Sequence, residues 1–96
     1  MNTLETLRTH KAEIEHLARL HGARNIRVFG SVARADDTSD SDIDFLIDME
    51  ESRSLLDLVG FQQDLEAMLN RSTDVLTERG INPYLRERIL AEAVTL

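Results

Sequence analysis

The sequence contains no cysteine among its 96 residues. Disulfide bonds, zinc sites built on thiolates and cysteine nucleophiles are therefore excluded. Its apolar runs are only a few residues long, far below the ~20 that a membrane-spanning helix needs. The N-terminus has no basic segment followed by an apolar stretch, so we expect no secretory signal and a cytoplasmic location.

Positive charge is also scarce. The chain carries 18 acidic residues against 11 lysines and arginines, for a net charge of −7, and Lys11 is its only lysine. Affinity for nucleic acid depends largely on Lys and Arg contacts with phosphates, so we expect no direct binding of DNA or RNA. Carboxylates clustered in such a chain instead indicate metal cations or a basic protein partner.

The length allows one small core, so we expect a single domain over residues 1–96. The fold class that we predict is α/β (α+β), a small mixed β-sheet with helices packed on one face. Hydrophobic periodicity and capping signals predict, in order, a helix from a cap at Asn2 to Gly22, a strand at 25–29, a helical turn at 32–34, a strand at 42–48, a helix at 54–70, a strand at 73–77, a helix from Asn82-Pro83 to about Ala93, and a frayed end or short strand at 94–96.

Asp42 and Asp44 are two residues apart on a predicted strand, so their side chains leave the same face with Cα atoms ~6.6 Å apart. Such carboxylates repel each other, and a divalent cation between them relieves the repulsion. Oxygen-only ligands suit Mg²⁺. An Asp-x-Asp alone is more often the solvent face of an edge strand. Aspartate is rare in strands, however, and this segment also has Asp40 and Asp48, which favours the metal site.

Gly30 and Ser31 follow directly after a predicted strand. Glycine lets the backbone pass close to a ligand, and the serine adds a hydroxyl and an N–H group at a helix start, where phosphate is commonly bound. A Gly-Ser pair by itself is more often an ordinary turn.

Ten residues separate Ser31 from Asp42-Ile43-Asp44. Together with Gly30, the segment Val32-Ala33-Arg34 and Ser41, this pattern resembles the signature of the DNA-polymerase-β-like nucleotidyltransferase superfamily. The chain length is similar to that of its smallest members, the minimal nucleotidyltransferases (MNT). The signature is specific when a helix and a strand with a third acidic residue follow, and Asp74 occupies that place. Ala35 stands where the family often has glycine, so the loop would have to turn there without a residue that readily adopts a positive φ.

The resemblance implies a metal-dependent transfer of AMP from ATP to a hydroxyl group. Asp42, Asp44 and Asp74 would be the catalytic residues and would hold two Mg²⁺ ions, with Asp74 also accepting a proton. Gly30, Ser31 and Arg34 would bind the nucleotide. MNT proteins resemble the antitoxins of two-gene modules whose partner is an all-helical HEPN ribonuclease, so the implied acceptor is a tyrosine of such a toxin in a hetero-oligomeric complex.

Three other functions stay open: an antitoxin that neutralises its toxin by binding alone, nucleotidyl transfer to a small molecule, and a purely structural acidic domain. An EF-hand over residues 40–51 is rejected, because Phe45 stands where the calcium loop needs glycine.

Five other polar residues have an alternative or a purely structural interpretation. Arg34 could meet either a phosphate or a carboxylate. Asp48 lies too far along the strand for the same metals, so we expect it to be solvated or to face a partner. His10, His16 and His21 are expected to be surface residues without acidic partners.

Overall fold

The computed structural model describes all 96 residues. Its elements, in chain order, are α1 (Thr3–Thr9), α2 (Lys11–His21), β1 (Ala23–Phe29), α3 (Gly30–Arg34), β2 (Ile43–Met49), α4 (Leu55–Leu69), β3 (Thr73–Thr77), α5 (Pro83–Glu92) and β4 (Val94–Thr95).

The four strands form one mixed sheet in the order β3-β2-β1-β4. β2 and β3 are parallel, whereas β1 runs antiparallel to both β2 and β4. Parallel neighbours need a crossover connection, and α4 supplies it. The N-terminal ends of β2 and β3 therefore lie side by side, with β3 at the edge of the sheet.

One face of the sheet carries the main hydrophobic core. The alternating residues Ile43, Phe45 and Ile47 of β2 are at most 2% exposed, as the strand period of two predicts. They belong to a cluster that includes side chains from α1, α2 and α4: Leu7, Ile14, Ala18, Phe61 and Leu65.

The opposite face has a smaller apolar cluster. Phe29 and Leu46 pack there with Ile81 and with Ile89 of α5. The mixed α/β sheet is confirmed, with one difference from the prediction: α5 packs on this second face, so helices contribute to both. Leu46 lies between Asp44 and Asp48 on this face of β2, and α5 covers the Leu46 side chain.

The predicted N-terminal helix is divided into two. Its start is as predicted, because the N–H of Glu5 donates to Asn2 Oδ1 at 2.8 Å and a capping box forms. α1 ends at Thr9, whose hydroxyl donates to the Thr6 carbonyl at 2.6 Å. Such bonds compete with the helical ladder, and His10 leaves the helical conformation with φ −103° and ψ 14°.

The remaining boundaries lie close to those predicted. α4, β3 and α5 begin and end within one or two residues of expectation, and residues 94–95 form the short additional strand β4. No helix of the chain is both long and apolar enough to cross a membrane.

Candidate active site

Asp44 and Asp74 are direct neighbours on adjacent strands. In the parallel register of β2 and β3, Asp44 pairs with Asp74 and Phe45 pairs with Val75. Paired residues of neighbouring strands point to the same face, with about 4.8 Å between the strands. Because Phe45 and Val75 are buried in the main core, the two aspartates leave the sheet on the opposite, more open face.

Asp42 lies one residue before β2, which begins at Ile43 rather than at Asp42. It is exposed, whereas Asp44 is partly buried. Asp42 therefore belongs to the end of the loop that leads into β2, and its backbone does not pair with a neighbouring strand. Asp42 still lies close enough to Asp44 for its charge to act on that carboxyl.

Asp44 has an unusual protonation equilibrium. Burial, together with the negative charges of Asp74 and Asp42, raises its pKa from 3.8 to about 6. Arg34 opposes this effect only by its charge at a distance. The three predicted metal ligands thus form one concentration of negative charge, and none of them takes part in an ion pair within the chain.

Gly30 lies directly beneath the Asp44 carboxylate. Its φ of 71° is in the left-handed region that favours glycine. A Cβ atom at this position would collide with Asp44 Oδ2. β1 pairs with β2 so that Phe29 faces Asp44, which carries the Gly30-Ser31 turn to the same end of the sheet.

Ser31 and Arg34 lie on α3, the helical turn that follows β1. The guanidinium of Arg34 donates to Glu92 Oε1 at 2.6 Å and to Asp36 Oδ2 at 3.3 Å. These hydrogen bonds raise the pKa of Arg34. Of its two predicted roles, the contact with carboxylates is the one present in this structure, and 43% of its side chain remains exposed to solvent.

The turn after α3 departs from expectation at Ala35. The sequence predicted a loop that turns without a positive φ, but Ala35 adopts φ 62° and ψ 30° and ends the helix in the left-handed conformation. Its N–H donates to the Val32 carbonyl at 3.2 Å. The turn geometry is therefore retained at a cost of about 1–2 kcal/mol that glycine would not incur.

Two expectations about other polar residues also change. Asp48 accepts hydrogen bonds from Asn25 Nδ2 at 3.0 Å and from Arg27 Nη2 at 3.2 Å, so it is a structural partner of β1. His21 is not an unpartnered surface residue, because its Nε2 lies 2.6 Å from Asp64 Oδ2 on α4. Neither of these two pairings is visible in the sequence, since each joins elements far apart along the chain. His10 also has an acidic partner, because its Nδ1 lies 3.2 Å from Glu13 Oε2, three residues further on.

The donor set has the chemistry of a divalent-cation site, although in this structure no group of three acidic or histidine side chains is arranged so that it could hold a metal ion by itself. Asp42, Asp44 and Asp74 offer only oxygen ligands. Mg²⁺ is typically bound by one or two carboxylates, with water and substrate phosphates completing its coordination. Burial is the largest cause of the raised pKa of Asp44, followed by the charges of Asp74 and Asp42, and a bound cation would stabilise the ionised carboxylate against these effects.

Comparison with known proteins agrees with this geometry. Residues 8–96 match the model of the nucleotidyltransferase domain family. The chain belongs to this family. It is 36% identical to the protein adenylyltransferase MntA of Thermococcus cleftensis, over 98% of this chain and 96% of that protein. It is 47% identical, over 77% of this chain and 80% of the relative, to a Methanocaldococcus jannaschii protein provisionally named as a protein adenylyltransferase.

Solved structures place the chain among the minimal nucleotidyltransferases. One structure provisionally named as a minimal nucleotidyltransferase has a TM-score of 0.86 and 46% identity, and the match covers 100% of this chain and 97% of that one. A toxin–antitoxin complex with AMP-PNP has a TM-score of 0.74 at 20% identity, covering 88% and 69% of the two chains, and it shares the fold. The nucleotidyltransferase fold and the enzyme class predicted from the sequence are confirmed.

One residue near the candidate site was missed. Arg71, in the turn between α4 and β3, donates to the carbonyl of Ser41, the residue before Asp42. The sequence contained no signal for it, because an arginine in a turn is ordinarily solvated. Its partners could not be identified without the fold.

Proposed function

We propose that this chain transfers AMP from ATP to a tyrosine hydroxyl of a HEPN-type helical toxin and thereby acts as an antitoxin. The observation that carries the proposal is the pairing of Asp44 with Asp74 on one face of the sheet, with the Gly30 turn directly against Asp44. Carboxylates from two strands and a turn that can approach phosphate are the elements that nucleotidyl transfer requires.

Asp42, Asp44 and Asp74 would hold two Mg²⁺ ions. When bound, these ions activate the attacking oxygen and neutralise charge on the leaving pyrophosphate. The backbone N–H groups at Gly30 and Ser31 would bind the β- and γ-phosphates. Arg34, which is partly exposed, could exchange its carboxylate partners for a phosphate, since its guanidinium matches either geometry.

In the reaction, the acceptor hydroxyl attacks the α-phosphorus of ATP. The new oxygen–phosphorus bond forms as the bond to the oxygen bridging the α- and β-phosphates breaks, and pyrophosphate leaves. Asp74 would accept the hydroxyl proton and pass it to water. Asp74 is exposed on β3, the edge strand, so an acceptor side chain can approach it from outside the sheet.

A protein acceptor is supported by the surface of the chain. The net charge of −7 suits a basic partner, such as a protein that handles RNA. Leu55 and Leu56 at the start of α4 are 72% and 81% exposed and offer apolar side chains that a protein partner would cover. A relative over almost the whole chain length is itself named as a protein adenylyltransferase.

The test is to purify a HEPN-type helical protein from a gene that neighbours the gene of this chain, and to incubate it with the chain, ATP and Mg²⁺. Intact-mass and peptide mass spectrometry should find an addition equal to AMP on a tyrosine of the partner, and EDTA should prevent it. A partner that stays unmodified yet is still neutralised would contradict the transferase and support an antitoxin acting by binding alone. Modification of a small molecule in place of the partner would support nucleotidyl transfer to a small molecule.

A further inference from the structure

Arg71 binds four groups with one side chain. Its Nε donates to the Ser41 carbonyl at 2.9 Å, and its Nη2 donates to the Thr38 carbonyl at 2.7 Å and to Asp37 Oδ2 at 2.9 Å. Its Nη1 donates to Thr3 Oγ1 at 3.1 Å. The Arg71 side chain is only 17% exposed, and that of Asp37 is 8% exposed.

The segment that Arg71 holds leads directly into Asp42. On one side of Asp42, the Ser41 carbonyl accepts from Arg71. On the other side, the N–H of Ile43 donates to the Ser72 carbonyl at 3.0 Å. Both chain neighbours of Asp42 are therefore attached to the turn at residues 71–72, from which β3 continues to Asp74.

The far end of the segment is anchored as firmly. Asp37 accepts from the Thr3 hydroxyl at 2.6 Å as well as from Arg71. These two contacts hold the pKa of Asp37 below its ordinary value. A nearly buried carboxylate with a charged partner and a hydroxyl donor is a stable attachment point, whereas either partner alone would be left with an unsatisfied group.

Asp42 needs such support more than Asp44 or Asp74 does. The latter two lie within paired strands, while Asp42 is exposed and precedes β2. We propose that Arg71 is a positioning residue that fixes the loop of residues 37–41 so that the Asp42 carboxylate stays beside Asp44 and Asp74, ready to bind the divalent cation. This inference rests on the proposed function, because it concerns the same metal site.

Positioning and simple electrostatics predict opposite signs. A guanidinium close to a cation site repels the cation, so removing its charge by Arg71→Gln should tighten metal binding if charge were all that mattered. If Arg71 positions Asp42, the same substitution should weaken binding. Arg71→Lys keeps the charge but replaces the fork of donors with a single ammonium group, so it should restore only part of the affinity.

The experiment measures Mn²⁺ binding by electron paramagnetic resonance in the wild type, Asp42→Asn, Arg71→Gln and Arg71→Lys. Arg53→Gln is the matched control, because Arg53 is 31% exposed and donates to the Leu20 carbonyl and to Asp57 at the other end of the molecule. Amide hydrogen exchange of residues 38–43 and thermal unfolding are measured on the same samples, so that loss of the fold is recognised separately.

We expect Arg71→Gln to weaken Mn²⁺ binding by about tenfold or more, as loss of a group that orients a ligand typically does. Exchange at residues 38–43 should become faster in this variant, whereas Arg53→Gln should lose stability and keep its Mn²⁺ affinity. Mn²⁺ binding by the wild type together with unchanged or tighter binding by Arg71→Gln overturns the inference alone. A wild type that binds Mn²⁺ no better than Asp42→Asn overturns the proposed metal site and this inference with it.

Discussion

Two groups of carboxylates lie on the same face of the sheet, at opposite ends of β2 and β3. At one end, Asp48 is held by Asn25 and Arg27, and Arg27 also lies 3.6 Å from Glu78. Arg27 is only 13% exposed, so its charge is well placed to balance both carboxylates. At the other end, Asp44 and Asp74 are neighbours without a cationic partner, and the pKa of Asp44 rises to about 6.

This difference in charge compensation distinguishes carboxylates with a structural role from carboxylates that are candidates for binding a ligand. A carboxylate that shares a buried arginine is already neutralised and adds to the contacts between strands. Like charges brought together without compensation cost free energy in the isolated chain, and such an arrangement is typical of sites that bind a charged ligand. The same residue type on the same strand therefore has two roles, which the surrounding charges assign.

The largest effect should come from substituting matched aspartates at the two ends. Asp44→Asn should lower AMP transfer by at least about a hundredfold, because a metal site supplies several kcal/mol of stabilisation to the transition state. Asp48→Asn should keep its activity and lose about 1 kcal/mol of stability through a weaker bond to Arg27. Initial rates of transfer and urea unfolding of both variants measure this. Equal loss of activity in the two variants would remove the distinction between the ends.

Two glycines allow the next comparison. Gly30→Ala should lose about tenfold or more of the transfer rate and about 2 kcal/mol of stability, since its Cβ strikes the Asp44 carboxylate and its φ is 71°. Gly22→Ala has a similar φ of 75°, but its Cβ would meet the flexible Arg53 side chain. It should lose comparable stability and keep its activity once folded. Transfer rates normalised to folded protein decide this, and a full rate for Gly30→Ala would contradict the close approach.

A smaller effect should appear as a pH dependence of stability without metal. The folded state raises the pKa of Asp44 from 3.8 to about 6, so it binds this proton more tightly than the unfolded chain does. The stabilisation of the folded state by this proton is fully present below pH 3.8 and is lost as the pH rises through about 6. In EDTA, the stability of the wild type relative to Asp44→Asn should fall across that window. Unfolding curves at several pH values measure the difference, and a constant difference would contradict the raised pKa.

The smallest effect should be a gain. Ala35→Gly removes the left-handed strain of an alanine at φ 62° and adds chain entropy to the unfolded state. We expect a net gain of about 0.5–1 kcal/mol in the free energy of unfolding, with the transfer rate unchanged. Denaturant unfolding provides the measurement. A loss of stability would mean that the turn gains from the alanine methyl group in a way that its backbone conformation does not reveal.

Local signals in the sequence predicted most elements because their determinants are local. The capping box at Ser54 and Asp57 and the Asn82-Pro83 start of α5 are set by residues within one helical turn. The break at His10 was missed; a bond from the Thr9 hydroxyl to the carbonyl of Thr6 accompanies it. Such a break has no strong signature in composition.

The candidate site was predictable as a set of residue types, but its contacts were not. The strand period of two predicted that Asp44 and Phe45 point to opposite faces of the sheet, and the family resemblance indicated Asp74 as the third acidic residue. The contacts of Arg71 with Thr3 and Ser41 join residues 68 and 30 positions apart, and no periodic pattern encodes such pairs. The same limit applies to His21 with Asp64, 43 positions apart.

The parallel register of β2 and β3 also determines which misaligned pairings of the two strands are unfavourable. A slip of one residue would turn Asp74 into the layer occupied by Phe45 and bring Val75 out to water. The hydrophobic core therefore rejects the misaligned pairing by the cost of burying a carboxylate, and it enforces the aspartate pairing without any bond between the aspartates themselves. The apolar residues on the other side of the sheet thus fix which aspartates lie side by side.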